Sequence, residues 1–270
     1  MTDWLEIHRG DAPLVVSFPH TGTELPTFVA ARLISPWLAR KDADWWIEKL
    51  YDFAPSLGAT TIRTAISRTV IDVNRDPSGA SLYPGQATTG LCPATTFDGE
   101  PLYRTGEPDE ADIARRRADY FEPYHAALQA ELDRLQAIHG KVVLYEAHSI
   151  RSTIPRLFDG LLPNFNIGTN SGASCDAALS DAVAAACAAS EFSHVVNDRF
   201  KGGWTTRHYG RPGDGVHAIQ MELACRGYMD EPRGLLTSKI WPTPYDDARA
   251  APMRAALTNV LTACLDFAKS

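Results

Sequence analysis

The chain has 270 residues, of which 44% are hydrophobic and 22% charged, so a single domain over residues 1–270 can bury a large core. Its formal net charge of −7 argues against nucleic acid or an anionic membrane as a partner, because either would require a basic face. The sequence has no apolar run of about 18 residues and no signal-peptide pattern, which predicts a cytoplasmic protein without a membrane span. The five cysteines are scattered and form no C-x-x-C pair, so we expect reduced thiols.

Short runs rich in β-branched residues predict the strands. In chain order these runs are 14–18, 60–65, 69–73, 141–147, 194–196 and 216–223. Stretches with helical periodicity lie between them, at 42–57, at 109–139 with Pro123 as a kink or break, at 174–189 and at 245–268. Strands that alternate with helices predict an α/β fold, a three-layer sandwich around a mixed, mostly parallel sheet.

Two long segments, at about 74–108 and 151–173, are rich in glycine and proline and too polar and irregular for core. We expect them to be long loops that build a site. Ligands of open α/β sheets bind outside the carboxyl ends of the strands, so the residues at those ends are the candidates for function.

Two histidines directly follow predicted strands. His20 ends the run "VVSFPH", and His148 follows "KVVLYEA". A single histidine in such a place is often a packed structural residue, but the parallel placement of two favours a metal site. Catalytic zinc takes three protein ligands and keeps a position open for water, so a carboxylate is expected as the third. Spacing alone leaves Glu24 and Asp44 as alternatives.

Other acidic residues have two interpretations each. Asp42 and Asp44 could cap the helix predicted at 42–57 and complement its dipole, without any metal. Glu222 lies in the apolar run "AIQMELA", where an unpaired charge is costly. It is either the partner of an arginine or, beside a metal, a general base that takes a proton from water and passes it to a leaving nitrogen.

Four arginines fall in or beside the predicted loops: Arg68, Arg75, Arg151 and Arg207. Because a guanidinium group binds a carboxylate bidentately, this cluster predicts a small anionic substrate that carries carboxylate groups. Asn74 adds an amide donor next to Arg75, and the pair is a predicted carboxylate clamp.

The motifs that contain these residues resemble the N-formylglutamate amidohydrolase family, also called N-formylglutamate deformylases. The resemblance is carried by "PHTG" at 19–22, "DADW" at 42–45, "LYDFA" at 50–54, "SRTVIDVNR" at 67–75, "LYPG" at 82–85, "FDGEPLYR" at 97–104, "EAHSIRS" at 146–152, "LFDG" at 157–160, "FNIGTNSGASC" at 165–175, "FKGGWTTRHYG" at 200–210 and "VHAIQMEL" at 216–223. These motifs span about residues 14–223 in the family's order, and only the last helix is undiagnostic.

The resemblance implies hydrolysis of N-formyl-L-glutamate to formate and L-glutamate, a step of histidine breakdown. It also implies a zinc-dependent amidohydrolase with a fold similar to zinc carboxypeptidases and aspartoacylases, in which an Asn-Arg pair like Asn74 and Arg75 grips a substrate carboxylate. It favours Asp44 over Glu24 as the third zinc ligand. Asp42 is then expected to cap the helix predicted at 42–57.

From these residues we expect one zinc ion held by the two histidines and Asp44. Glu222 is expected to be the general base, and Arg207 or His208 the donor to the oxyanion. The two substrate carboxylates would be held by the Asn-Arg pair and by Arg68 or Arg151.

Formyl is the smallest acyl group, so discrimination against acetyl must be steric. A pocket rejects a larger group by leaving no room for it. Trp46 and Trp204 are the candidates for closing the pocket. The sequence departs from the expected family pattern at Ala43, where threonine is expected, and at Trp46, where histidine or a small residue is expected.

Two other functions compete with this one. The first is a related zinc amidohydrolase or carboxypeptidase-like enzyme that acts on another N-acyl acidic amino acid. The second is a non-catalytic binding protein for acidic ligands, in which Glu222 pairs with an arginine and no metal is bound.

Overall fold

A computed structural model describes residues 4–80 and 89–270 of the chain. Within these ranges seven strands form one mixed sheet, in the order β1-β3-β2-β4-β7-β5-β6. The strands are β1 Leu5–His8, β2 Leu14–Phe18, β3 Thr60–Thr64, β4 Val142–Ile150, β5 Phe165–Gly168, β6 His194–Val196 and β7 Val216–Ala224.

The helices lie between the strands and after the last of them. They are α1 Thr27–Ala30, α2 Ile47–Leu50, α3 Glu110–Arg116, α4 Glu122–His139, α5 Ala177–Ala188, α6 Trp204–Tyr209 and α7 Asp247–Lys269. A π-helical turn at Arg117–Phe121 joins α3 to α4, directly before Pro123. Within the described part of the chain, none of the helices combines the length and apolar character that crossing a bilayer requires.

The centre of the sheet is parallel and its flanks are mixed. Strands β3, β2, β4 and β7 are parallel neighbours, β1 pairs antiparallel with β3, β5 pairs antiparallel with β7, and β6 pairs parallel with β5. This confirms the predicted mixed, mostly parallel sheet. The carboxyl ends of the four central strands therefore meet at one edge.

The side chains of the central strands point alternately to the two faces of the sheet and are buried on both. On one face, Val16, Tyr145 and Met221 belong to a core that includes α5 and α7. On the other face, Val15 and Leu144 pack with α4. Helices thus cover both sides, which confirms the three-layer α/β sandwich.

The prediction of a strand at 69–73 is wrong. Val70 N donates to Ser67 O (2.8 Å), and Asp72 N donates to Leu91 O (2.7 Å), so the segment forms turns. Its apolar side chains are buried all the same. A segment that is buried but does not pair with a neighbouring strand has the same apolar sequence pattern as a buried strand.

The sequence patterns also did not predict several short elements correctly. The segment predicted as a loop at 151–173 contains the buried four-residue strand β5, and β1 was not predicted. The helix predicted at 42–57 is two short pieces, α2 and a 3-10 turn at Ala54–Leu57. Part of the other predicted loop, residues 81–88 with all of "LYPG" at 82–85, lies outside the described residues.

Gly22 lies where the chain leaves β2 and passes the segment after β3. A Cβ atom at this position would lie 2.3 Å from Ile66 O and 2.5 Å from the carbonyl carbon of Ala65. Glycine is therefore required here by the close approach of two backbones.

We expect Gly22→Ala to lower the free energy of unfolding by about 1–3 kcal/mol, because the two backbones must separate. Gly213→Ala is the matched control, since a Cβ there meets nothing within 4 Å. Urea denaturation of both variants measures the difference. Equal stability of the two variants would contradict the steric explanation.

Candidate metal centre and active-site cavity

The three central strands β2, β4 and β7 bring the predicted site residues to one edge of the sheet. His20 follows β2 by two residues, while His148 lies in β4 and Glu222 in β7. His148 and Glu222 are register partners on neighbouring parallel strands. The rings of His20 and His148 have centroids 4.8 Å apart. The topology thus places two imidazoles and a carboxylate side by side.

Asp44 completes a buried group with the two histidines. One donor atom from each of His20, Asp44 and His148 lies within 4.8 Å of the others. Asp44 Oδ2 is 3.1 Å from His148 Nδ1 and 3.8 Å from His20 Nδ1. The backbone N–H of Asp44 donates to His20 O (3.0 Å), which ties the aspartate to the end of β2. Glu24 is exposed and forms a β-bridge with Ile66 instead.

Asp44 precedes its helix rather than lying in the first turn. Helix α2 begins at Ile47, and Trp46 before it has a left-handed backbone with φ of 65°. Such a conformation is rare for a bulky residue. Trp46 Nε1 donates to Thr243 O (2.9 Å), which holds the indole in place.

His20 presents its Nδ1 atom toward Asp44. Its Nε2 is 2.7 Å from Asp72 Oδ1, and because a carboxylate can only accept, Nε2 carries the hydrogen. Burial lowers the pKa of His20 to about 4, so the ring is neutral at neutral pH. A neutral imidazole with its second nitrogen bonded to a carboxylate is the usual arrangement of a histidine that binds a metal.

His148 also has a buried carboxylate near its Nε2 atom, that of Glu146, but at a longer distance than Asp72 has from His20. His148 Nε2 is 3.5 Å from Glu146 Oε2. Glu146 is fully buried, and neither of its carboxyl oxygens accepts a hydrogen bond from the described residues. Burial opposes the charged form of His148, but the carboxylates of Asp44 and Glu146 raise its pKa to about 10. His148 therefore shares a proton with Asp44 that a metal ion would replace.

The group fits a divalent cation. Asp44 Oδ1 is buried and has no hydrogen-bond partner among residues 4–80 and 89–270. Arg68 Nη1 lies 3.8 Å away, too far to donate a hydrogen bond to it, so a closer cation would compensate the charge of this oxygen better. Two imidazole nitrogens and a carboxylate oxygen are donors that zinc prefers, and three protein ligands leave a position for water.

Asp72 connects the group of His20, Asp44 and His148, called the metal group below, to the arginines. Its carboxylate accepts from His20 and, at 2.7 Å, from Arg68 Nη2, and it also accepts from Asn74 N at 2.9 Å. Although burial opposes its ionisation, Arg75, His20 and Arg68 hold the pKa of Asp72 well below its usual range. We did not predict a role for Asp72, although a charge in the apolar run 69–73 was a usable signal.

A cavity of about 320 Å³ opens above the metal group. Six of the predicted residues line it: His20, Arg68, Asn74, Arg75, His148 and Glu222. Gln220 and Arg199 also line it, and neither was predicted. The apolar part of its wall comes from Leu91, Phe97, Ile150, Leu157 and Phe200. The volume suits a small molecule that is partly polar.

Glu222 faces this cavity with its carboxylate in a partly paired state. Its Oε2 accepts a hydrogen bond from Gln220 Nε2 (3.3 Å) rather than from an arginine. Burial raises the pKa of Glu222 above that of an ordinary glutamate. A carboxylate whose pKa is closer to neutrality is better suited to take up and return a proton.

Asn74 lies between the cavity and helix α6. Its Oδ1 accepts from Thr205 N (2.9 Å), and its Nδ2 lies 3.1 Å from His148 Nε2. An amide nitrogen carries two hydrogens, so Asn74 can contact His148 and still donate to a ligand. Arg75 donates from Nε to Thr89 O (3.0 Å) and lies 3.6 Å from Asp72 Oδ2.

Three predicted residues are not among the wall residues of this cavity. Arg151 Nη2 donates to Asp98 Oδ2 (2.8 Å). Arg207 Nε donates to Gly202 O (3.0 Å), and the exposed His208 stacks on Trp204 at 4.3 Å. Each side chain is directed by a local partner, and this direction could not be read from the chain order.

Three further expectations need correction. Asp42 does not cap a helix, since its Oδ2 accepts from Phe97 N (2.6 Å). Trp46 and Trp204 do not line the cavity. The first is held by Thr243, and the second packs against His125 at 4.8 Å. The apolar wall comes from the residues named above, which lie on other loops and strands.

The sequence of the N-formylglutamate amidohydrolase family matches this chain over residues 12–229. The chain belongs to this family. The match includes every residue of the metal group and of the cavity wall. N-formylglutamate deformylase of Pseudomonas aeruginosa is 47% identical over 100% of this chain and 98% of its own. The enzyme of that name from Pseudomonas putida is 46% identical over 97% and 95%.

Two solved structures share the fold of this family member. N-formylglutamate amidohydrolase from Ralstonia eutropha JMP134 superposes with a TM-score of 0.76 at 22% identity, over 98% of this chain and 97% of that one. A gene product of Agrobacterium tumefaciens superposes with a TM-score of 0.71 at 17% identity, over 99% and 96%.

The two candidate third ligands can be separated by metal content. We expect Asp44→Ala to lose stoichiometric metal after dialysis, because the anionic donor of the group is removed. Glu24→Ala should keep the wild-type content, since Glu24 is exposed and outside the group. Elemental analysis of both purified variants measures this. Loss of metal from Glu24→Ala alone would make Glu24 the ligand.

Proposed function

We propose that the protein is a zinc-dependent N-formylglutamate deformylase that hydrolyses N-formyl-L-glutamate to formate and L-glutamate. The observation that supports this most strongly is the buried group of His20, Asp44 and His148 beneath a cavity lined by Glu222 and arginines. The substrate is that named for the family and for its two Pseudomonas relatives. The proposal includes a role in histidine breakdown in the cytoplasm, which rests on the resemblance of the motifs.

Zinc is the proposed ion because two imidazoles and one carboxylate suit it better than they suit magnesium or calcium. His20, Asp44 and His148 would hold it. When bound, such an ion supplies Lewis acidity, which lowers the pKa of a water molecule and polarises a carbonyl group. Asp72 would orient the ring of His20 through its hydrogen bond with Nε2, and Glu146 places a buried negative charge 3.5 Å from Nε2 of His148.

Glu222 is proposed as the group that moves the proton. It is the register partner of His148 and lines the cavity, so it lies beside the reacting centre. It takes a proton from the attacking water as the oxygen bonds to the formyl carbon. It then delivers that proton to the nitrogen as the carbon–nitrogen bond breaks, which releases formate and the free amine.

Arg68 is proposed as the donor to the carbonyl oxygen, in place of Arg207 or His208. Its Nη1 lies 3.8 Å from Asp44 Oδ1, and its Nη2 is fixed by Asp72. A fixed cation beside the reacting centre stabilises negative charge that develops on the oxygen. Phe97 covers this guanidinium at 4.8 Å and lines the cavity, so it is the proposed steric limit on larger acyl groups.

The α-carboxylate of the substrate is proposed to bind Arg75 and the Nδ2 of Asn74. Both line the cavity beside His148. A bidentate guanidinium contact with an added amide donor fixes the orientation of a carboxylate. This would place the formyl group between Arg68 and Glu222.

The direct test is formate release from N-formyl-L-glutamate, compared with N-acetyl-L-glutamate, N-acetyl-L-aspartate and short peptides. We expect the first to be hydrolysed at least about 100-fold faster than the acetyl compounds, because the acyl pocket is small. Exhaustive dialysis against a chelator should abolish activity, and zinc should restore it. Undiminished activity in metal-free protein would refute the metal-dependent mechanism.

We expect Glu222→Gln to reduce kcat by about 10²–10⁴-fold while metal content stays at one ion per chain. The glutamine keeps the shape of the side chain but cannot accept the proton. Because burial raises the pKa of Glu222, kcat/KM of the wild type should fall as the pH drops below that pKa and the base becomes protonated. The variant should lack this acidic limb. A variant with wild-type turnover would place the base elsewhere.

A further inference from the structure

Arg199 is a cavity residue that the proposed mechanism does not use. It lies in the segment between β6 and α6 and lines the cavity together with Leu157 and Phe200. Arg68 and Arg75 come from the segment after β3, on the other side of β2 and β4 in the order of the sheet. The cavity therefore has guanidinium groups from both halves of the sheet.

The guanidinium of Arg199 is held in place. Its Nε donates to Leu157 O (3.0 Å), and the group lies 5.3 Å from the centre of the Phe200 ring. Phe200 in turn makes an edge-to-face contact with Phe158 at 6.2 Å. A guanidinium that is oriented in advance loses less side-chain entropy when it binds an anion.

The other two arginines of the wall belong to the reacting centre. Arg68 is 2.7 Å and Arg75 is 3.6 Å from the Asp72 carboxylate, which itself contacts His20. Both cations are thus grouped around one buried anion next to the metal group. An acidic acyl amino acid carries a second carboxylate that is separated from its amide by methylene groups. That carboxylate needs a cation farther along the cavity.

We propose that Arg199 binds the side-chain carboxylate of the substrate and thereby selects acidic N-acyl amino acids over neutral ones. The inference rests on the proposed function, since it assigns one end of the same substrate. Leu157 and Phe200, beside Arg199, supply an apolar surface for the methylene groups. A neutral side chain of equal size would form no ionic contact with this guanidinium, so it would bind less tightly than a carboxylate.

The test compares Arg199→Met with the wild type on N-formyl-L-glutamate and on N-formyl-L-glutamine. We expect the variant to lose about 10- to 100-fold in kcat/KM on the glutamate compound, chiefly through KM, and to change less than about twofold on the glutamine compound. Arg199→Lys should recover part of the loss. Arg233→Met, at an exposed arginine that does not line the cavity, is the matched control and should behave as the wild type.

A second readout does not depend on turnover. Calorimetric titration with the product L-glutamate should show weaker binding to Arg199→Met than to the wild type, and titration with L-glutamine should show no difference. An unchanged preference in Arg199→Met, or equal losses on both substrates, would overturn the inference while the proposed function stands. If the wild type released formate from neither substrate, the proposed function would fail, and the inference with it.

Discussion

The ionised carboxylate of Asp72 is the constraint on which the site depends. It is fully buried and accepts hydrogen bonds from His20, Arg68 and the backbone of Asn74, with Arg75 nearby. Removing one partner from a buried ion pair typically costs about 3–5 kcal/mol, because the remaining charge is left unpaired. The segment after β3 must therefore fold over the end of β2. This brings His20 together with the guanidinium groups of Arg68 and Arg75.

The parallel centre of the sheet supplies the second constraint. His148 and Glu222 are neighbours because β4 and β7 pair in register along nine residues. Adjacent strands are about 4.8 Å apart, so the spacing of His148 and Glu222 is set by the backbone. Asp44 comes from a turn and is aligned by its own backbone hydrogen bond to His20. The rigid sheet thus carries most of the geometry that the chemistry requires.

An acidic chain can bind an anionic substrate because its positive charges are local. The net charge is −7, yet three arginines, Arg68, Arg75 and Arg199, converge on one cavity. A concave site with low-dielectric walls concentrates their field on the ligand. Asp72 compensates the charge of the arginines closest to the metal group, which keeps that end of the cavity from being strongly repulsive to a divalent cation.

The sequence by itself determined the fold class and most of the residues that follow the central strands. Runs of β-branched residues identified β2, β3, β4, β6 and β7, and the strand ends identified His20, His148 and Glu222. Glu146 could have been found as well, because it precedes His148 by the two-residue period that places both on one face of β4. The choice of Asp44 over Glu24 needed the family resemblance, since sequence spacing alone does not separate them.

Only the tertiary structure decided which loop side chains reach the cavity. Arg151 is directed to Asp98, Arg207 to Gly202 and His208 to Trp204, whereas Arg199 is held at the wall by Leu157. Periodicity reports the local rise and turn of the backbone, so it predicts regular elements. The direction of a loop side chain depends on which partners the fold places within its reach, and periodicity does not encode them.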